Sequence, residues 1–221
     1  MNRTGTLNIL NGTEMYKNFM ETHFLKPESM IPFNEAMCYG ETCDDLFSEA
    51  FTEMRARVHG VRLAQYAEIT LSPLQPLFSE NFDRIALWFD EDMFCQINLL
   101  TILAWLDQKD YKGSIDLHLV DNHFQPVRSY SLEAKGYDSL YKQVLIHKAI
   151  PQQEVHPSSL KKGINLYLNY LKEDSELMLY IQKHQDVPIK SLVPALIENF
   201  KDYGLGDTQY VEIIKSYRQN Q

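Results

Sequence analysis

Cysteine is scarce in this chain: Cys38, Cys43 and Cys95 are the three in 221 residues. So small and odd a set argues against a disulfide scaffold and for free thiols in a reducing compartment. Cys38 and Cys43 are spaced too loosely for a zinc knuckle, and no second C-x-x-C or H-x3-H pair completes a structural zinc site. Long apolar runs are missing too. The longest, Ile97 to Leu106, is interrupted by Asn98 and Thr101 and falls short of the roughly 20 residues that span a bilayer. No membrane span is expected. The opening MNRTGTLNIL lacks the apolar core of a secretory leader, so a cytoplasmic location is expected. The nine glycines fall into neither a G-x-G-x-x-G fingerprint nor a Walker A loop, which speaks against dinucleotide and P-loop sites. Positive charge is also short: 21 Lys+Arg face 30 Asp+Glu, a net charge of −9. The whole excess lies in residues 1–155, with 13 basic against 22 acidic residues, while residues 156–221 balance at 8 and 8. An acidic surface repels a phosphate backbone and disfavours nucleic acid as a partner.

What is present is an ordinary globular composition, 44% hydrophobic and 23% charged, enough for one sizeable core or two modest domains. Four short apolar runs read as strands: Leu7 to Leu10, Met30 to Phe33, Ile85 to Phe89 and Ile115 to Val120. Between the second and third, Phe47, Ala50, Phe51, Met54 and Val58 recur at helical spacing behind Asp44 or Asp45 as cap. After the third, Met93, Phe94, Ile97, Leu100 and Ala104 form another helical face, and Gly113 closes the connection. Strand, helix, strand in this order predicts parallel pairing through right-handed crossovers. The expected fold is an α/β three-layer sandwich with a largely parallel sheet over residues 1–130. From Tyr137 the pattern is helical alone, giving an expected helical domain over 137–221, with serines capping the faces that start near Leu160 and Leu192.

Polar residues gather directly after each predicted strand: Asn11-Gly12-Thr13, Asn34-Glu35, Asp90-Glu91-Asp92 and Asp121-Asn122-His123. In a parallel sheet these are the carboxyl ends, where α/β proteins bind ligands. A small-molecule site for a nucleotide or other phosphorylated ligand is therefore expected there. Glu35, Asp90 and Asp92 are the candidate ligands of a divalent ion, and oxygen donors favour Mg²⁺ or Mn²⁺. Asn11 and Asn34 would orient the ligand, Gly12, Thr13 and the following helix would receive its anionic group, and His123 would act as acid or base. The class of chemistry compatible with these groups is metal-assisted hydrolysis or transfer. Each group also has a plainer use. Asn11-Gly12-Thr13 turns the chain and caps a helix, Asp90 or Asp92 caps the next, and Cys38 and Cys95 serve as small buried apolar residues.

The segments LNILNGT, PFNEAMCYGE and IALWFDEDMFCQINLLTILAWL resemble, in order and spacing, the signature segments of the domain of unknown function 1835 (DUF1835) family. LYLNYLKEDSELMLYI and YGLGDTQYVEII resemble the C-terminal half found in many of its members. The resemblance leaves about residues 60–80 and 125–155 uncovered. It implies the architecture above and no activity, since the family is named for lacking one. The family's first segment usually reads Asn-Gly-Asp, where this chain has Thr13. A threonine still donates, accepts and caps, so a binding role survives the change better than an essential carboxylate role.

The alternative reading is a non-enzymatic regulator using a C-terminal helix-turn-helix, suggested by the Gly204-Leu205-Gly206 turn between helical patterns. Its would-be recognition helix, Asp207 to Gln221, carries only Lys215 and Arg218 as cations, both late.

Overall fold

The computed structural model describes residues 5–25 and 28–219. The first elements are β1 (Thr6–Asn11), α1 (Thr13–Thr22), β2 (Ser29–Phe33), α2 (Glu49–Val58), α3 (Leu63–Tyr66), α4 (Gln75–Ser79), β3 (Arg84–Phe89), α5 (Met93–Gln108), β4 (Ser114–Val120) and β5 (Pro126–Leu132). The described chain then continues in helices: α6 (Tyr137–Tyr141), α7 (Ser158–Tyr170), α8 (Glu176–Lys183), α9 (Ile189–Asn199) and α10 (Asp207–Gln219). A π turn over Ala67–Leu71 follows α3, another over Lys142–Ile146 extends α6, and a single 3₁₀ turn, Lys201–Tyr203, precedes α10.

The sheet runs β2-β1-β3-β4-β5, with the first four strands parallel and β5 antiparallel to β4. It is the expected α/β architecture with a largely parallel sheet. From β1 the chain moves outward one way to β2; from β3 it moves the other way to β4. Right-handed crossovers consequently put α1 on one face and α5 on the other. The packing agrees. Leu10, Ala86 and Trp88 meet Met15 and Phe19 of α1 in a small cluster, while Leu7, Ile9, Leu87 and Leu117 on the opposite pleat join the main core with α5. Because strand side chains alternate between faces, adjacent residues such as Ile9 and Leu10 feed different cores. The main core extends from Leu7 through Tyr167 to Ile214, so the helical region is built onto it.

α5 is the central element. It is buried from Met93 to Leu106 except for Phe94, as expected of a helix that is apolar on every side. Asp92 caps it by accepting the Cys95 N–H at 2.7 Å, one of the two caps the sequence offers there. On its outer side α7 comes close at Gly163, where a Cβ would stand 2.5 Å from the Cβ of Gln96.

Several local expectations need correction. β5 has no counterpart among the predicted strands. It is an edge strand whose residues 126–129 are exposed and whose burial is confined largely to Leu132, so it lacks the continuous apolar run of a strand covered on both faces. α2 begins at Glu49 rather than near Phe47, which adopts a left-handed φ of 59° just before it. Its cap is Ser48, accepting the Phe51 N–H at 3.1 Å, and neither Asp44 nor Asp45 plays that part. The N-cap positions of α7 and α9 are held by Pro157 and Pro188, not serine. Replacing Ser48 with alanine is expected to cost about 1 kcal/mol of stability, measured as a lowered urea midpoint with unchanged slope. An unchanged midpoint would show that this cap contributes nothing.

Candidate functional site at the carboxyl edge of the sheet

Parallel pairing brings the ends of β1, β2, β3 and β4 to one edge. β1 and β3 are neighbours whose following connections diverge, which makes the gap between them the topological switch point. Asn11-Gly12-Thr13 borders it on one side and Asp90-Glu91-Asp92 on the other.

Asp90, Asp92 and Cys95 meet there, each offering one donor atom within 4.8 Å of the others. Among the described residues neither aspartate has an ion-pair partner, while the adjacent Glu91 pairs with Arg128 at 3.3 Å. Burial, with the Asp92 carboxylate beside it, pushes the Asp90 carboxyl up to about 6. Burial also raises Asp92, against the hydrogen bonds from Cys95 that favour its charged form. For Cys95, burial and then the two aspartates push the thiol well above its usual range, which keeps the sulfur protonated.

Asn11 and Asn98 tie this cluster to the neighbouring strand. The Asn11 amide donates to the Cys95 sulfur at 2.8 Å and accepts from Asn98 at 3.1 Å. Asn98 also donates to the Glu35 carbonyl at 2.7 Å and accepts the Met37 N–H at 3.0 Å. One buried amide on α5 thus pins the ends of β1 and β2. Thr13 donates to Asn34 Oδ1 at 2.9 Å, and the Asn34 side-chain amide donates to Ile69 O at 3.1 Å. Gly12 is the N-cap residue of α1 and provides no side-chain cap, leaving the first helical N–H groups facing the edge without one.

Two expected members are placed differently. Glu35 does not join the aspartates; it is the centre of a separate buried network. Its carboxylate accepts from Arg55 at 2.9 Å, from the Ala36 N–H at 2.7 Å and from the Tyr66 hydroxyl, and meets His59 Nε2 at 2.6 Å. With both oxygens engaged, Glu35 is an internal counter-charge rather than a ligand in waiting. The candidate metal set is corrected accordingly to Asp90 and Asp92 with Cys95. His123 lies in the exposed β4–β5 turn, where Asp121 accepts the backbone N–H groups of His123 and Gln125, each at 2.9 Å. Its loop leads to an antiparallel hairpin rather than to a helix over the switch point, and His123 takes no part in the cluster.

Residues of the helical region reach the site as well. Gly204 abuts the Asp92 carboxylate so closely that a Cβ would overlap it. Lys162 and Asp202 pair at 2.9 Å and both act electrostatically on Asp92. They also line a cleft of about 730 Å³ with Lys161 and Lys201. Nothing in the strand-end pattern points to these groups. The signal for Gln96 and Asn98 was available: polar residues interrupting an otherwise apolar helix.

The C-terminal helices do connect through Gly204, but Lys215 pairs with Glu212 at 3.1 Å and Arg218 donates to Val187 O at 2.6 Å. Both cations of the would-be recognition helix are engaged, and its last two residues lie outside the described residues. Residues 1–4, on which the leader reading partly rests, lie outside them too. Among the described residues no helix is long and apolar enough to cross a membrane.

The fold and edge define an α/β protein with a polar cluster at its switch point. The chain matches no family model, no curated protein and no solved structure.

Proposed function

We propose that the switch-point edge binds a small phosphorylated ligand, of the nucleotide type, together with a divalent cation held by Asp90 and Asp92. The observation that carries this reading is the pair of part-buried carboxylates that form no ion pair among the described residues, one of them pushed up to about 6. A divalent ion removes that repulsion, and its remaining positions suit phosphate oxygens. The uncapped start of α1 supplies N–H groups and a favourable dipole for the same anion. Thr13, exposed at the first turn, is placed to join them.

The chemistry such a site would support is metal-assisted hydrolysis or transfer: Asp90 and Asp92 would hold the ion, and it would supply Lewis acidity toward the phosphate and the attacking water or acceptor. Cys95 is poorly suited to that role, because burial and the aspartates oppose its thiolate. Carboxylates alone favour Mg²⁺ or Mn²⁺.

Thermal melting with Mg²⁺, Mn²⁺ or Zn²⁺, with and without nucleotides and sugar phosphates, tests the reading. A ligand at about 100 times its Kd adds about 2.7 kcal/mol to the native state. For a chain of this size that raises Tm by about 5–10 °C. Asp90→Asn should abolish the rise. The reading fails if no combination shifts the wild type, or if Asp90→Asn shifts as far.

A further inference from the structure

We propose that Asp90, Asp92 and Cys95 form a centre for a zinc-class divalent ion, with Cys95 bound as thiolate and one position open to water or ligand. This rests on the strand-edge cation proposed above and adds its third ligand and its metal class.

The donor atoms already have suitable spacing. The Cys95 sulfur stands 3.5 Å from Asp90 Oδ2 and 3.3 Å from Asp92 Oδ2. Around a tetrahedral ion with bonds of about 2.0 Å to oxygen and about 2.3 Å to sulfur, sulfur and oxygen lie about 3.5 Å apart. A hydrogen count points the same way. A thiol carries one hydrogen and can serve one carboxylate, yet the sulfur faces two. One S···O contact is therefore left without a bridging hydrogen unless a further proton or a cation occupies the cluster.

The surroundings suit a bound thiolate. Asn11 directs an N–H at the sulfur at 2.8 Å, as groups behind a metal ligand commonly do. Cys95 lies in the first turn of α5, whose N-terminus favours negative sulfur. Asp92 divides its oxygens between two tasks: Oδ1 caps the helix and Oδ2 faces the sulfur.

Gln96 supplies the independent observation. Its side chain is wholly buried, and Nε2 donates to the Asp90 carbonyl at 2.6 Å, which holds the amide against the cluster. The other arm, Oε1, has no hydrogen-bond partner among the described residues. A buried acceptor left so is costly, and a water held by an ion in the adjoining cluster would supply the missing donor. Because a thiolate is a soft ligand, the set selects Zn²⁺ or Co²⁺ over Mg²⁺. On binding, the S–H bond breaks, its proton passes to solvent and a sulfur–metal bond forms; nothing is oxidised or reduced.

Co²⁺ titration of chelator-treated full-length protein tests this. The expected result is a near-ultraviolet thiolate-to-cobalt charge-transfer band saturating at one equivalent. Zn²⁺ should abolish the band, and about a hundredfold excess of Mg²⁺ should leave it. Cys95→Ser should lose it. The double variant Cys38→Ser/Cys43→Ser should keep it, which assigns the sulfur even if Cys95→Ser fails to fold. Metal-dependent melting shifts without the band would overturn the thiolate centre while leaving the cation reading intact. Loss of the band in the double variant would overturn it equally. If no metal binds by either measure, both proposals fall.

Discussion

Arg55→Ala is expected to destabilise the fold by about 3–5 kcal/mol, the range for removing one partner of a buried ion pair. Arg55 and Glu35 are 2.9 Å apart with both side chains fully buried. Alanine would leave the Glu35 carboxylate without its principal cation. It would also strip donors from the carbonyls of Tyr39, Glu41 and Ala36, which Arg55 meets at 2.7, 2.8 and 3.0 Å. Replacing both partners, as Glu35→Gln with Arg55→Met, should cost less than the two single changes summed, because no isolated charge remains. Urea unfolding of the wild type, Arg55→Ala, the two single changes and the double variant measures this; a loss below about 1 kcal/mol for Arg55→Ala would show that the network relaxes around the deletion.

The same network gives the protein an acid limit. Burial raises the Glu35 carboxyl, but the His59 hydrogen bond and the Arg55 charge outweigh it and hold the group down to about 2. The folded value lies below the unfolded one, so the contribution is complete above the usual 4.5 and is lost as pH falls from there towards about 2. The stability lost over that range is on the order of a few kcal/mol. Acid titration of unfolding free energy should show that slope in the wild type and lack it in Glu35→Gln. A slope that survives the substitution assigns the acid limit to other carboxylates.

How much of this was legible depended on where each residue finds its partner. The carboxyl edge was legible because parallel strands announce themselves as apolar runs and their following residues must lie together. A cap of α5 at Asp90 or Asp92 was legible because capping is local, and the structure selects Asp92. Glu35 looked like a free acid because it follows a strand with no capping duty. Its partners Arg55, His59 and Tyr66 lie 20 to 31 residues away, on elements whose relative rotation no local pattern fixes. Cys95 was hidden by the usual identity of lone cysteines as buried apolar residues. Its distinction lies in Asn11, 84 residues distant in sequence. β5 escaped because half-exposed edge strands need few apolar residues.

The helical region's hold on the site yields the last expectation, that Gly204→Ala will cost about 2–4 kcal/mol, combining left-handed backbone strain with overpacking. Gly204 has φ +64°, and the added Cβ would overlap the Asp92 carboxylate. Strain and collision can be separated, because Gly136 has φ +86° with nothing within 4 Å of an added Cβ. Gly136→Ala should therefore show the backbone penalty alone, about 1–2 kcal/mol. The excess at Gly204 measures the contact with Asp92. Since Asp92 both caps α5 and faces Cys95, displacing it should also weaken the cation response at the strand edge, whereas Gly136→Ala should leave that response unchanged. Equal losses at the two glycines, with metal-dependent melting intact in both, would mean that the 3₁₀ turn shifts freely and that the helical region does not position the site.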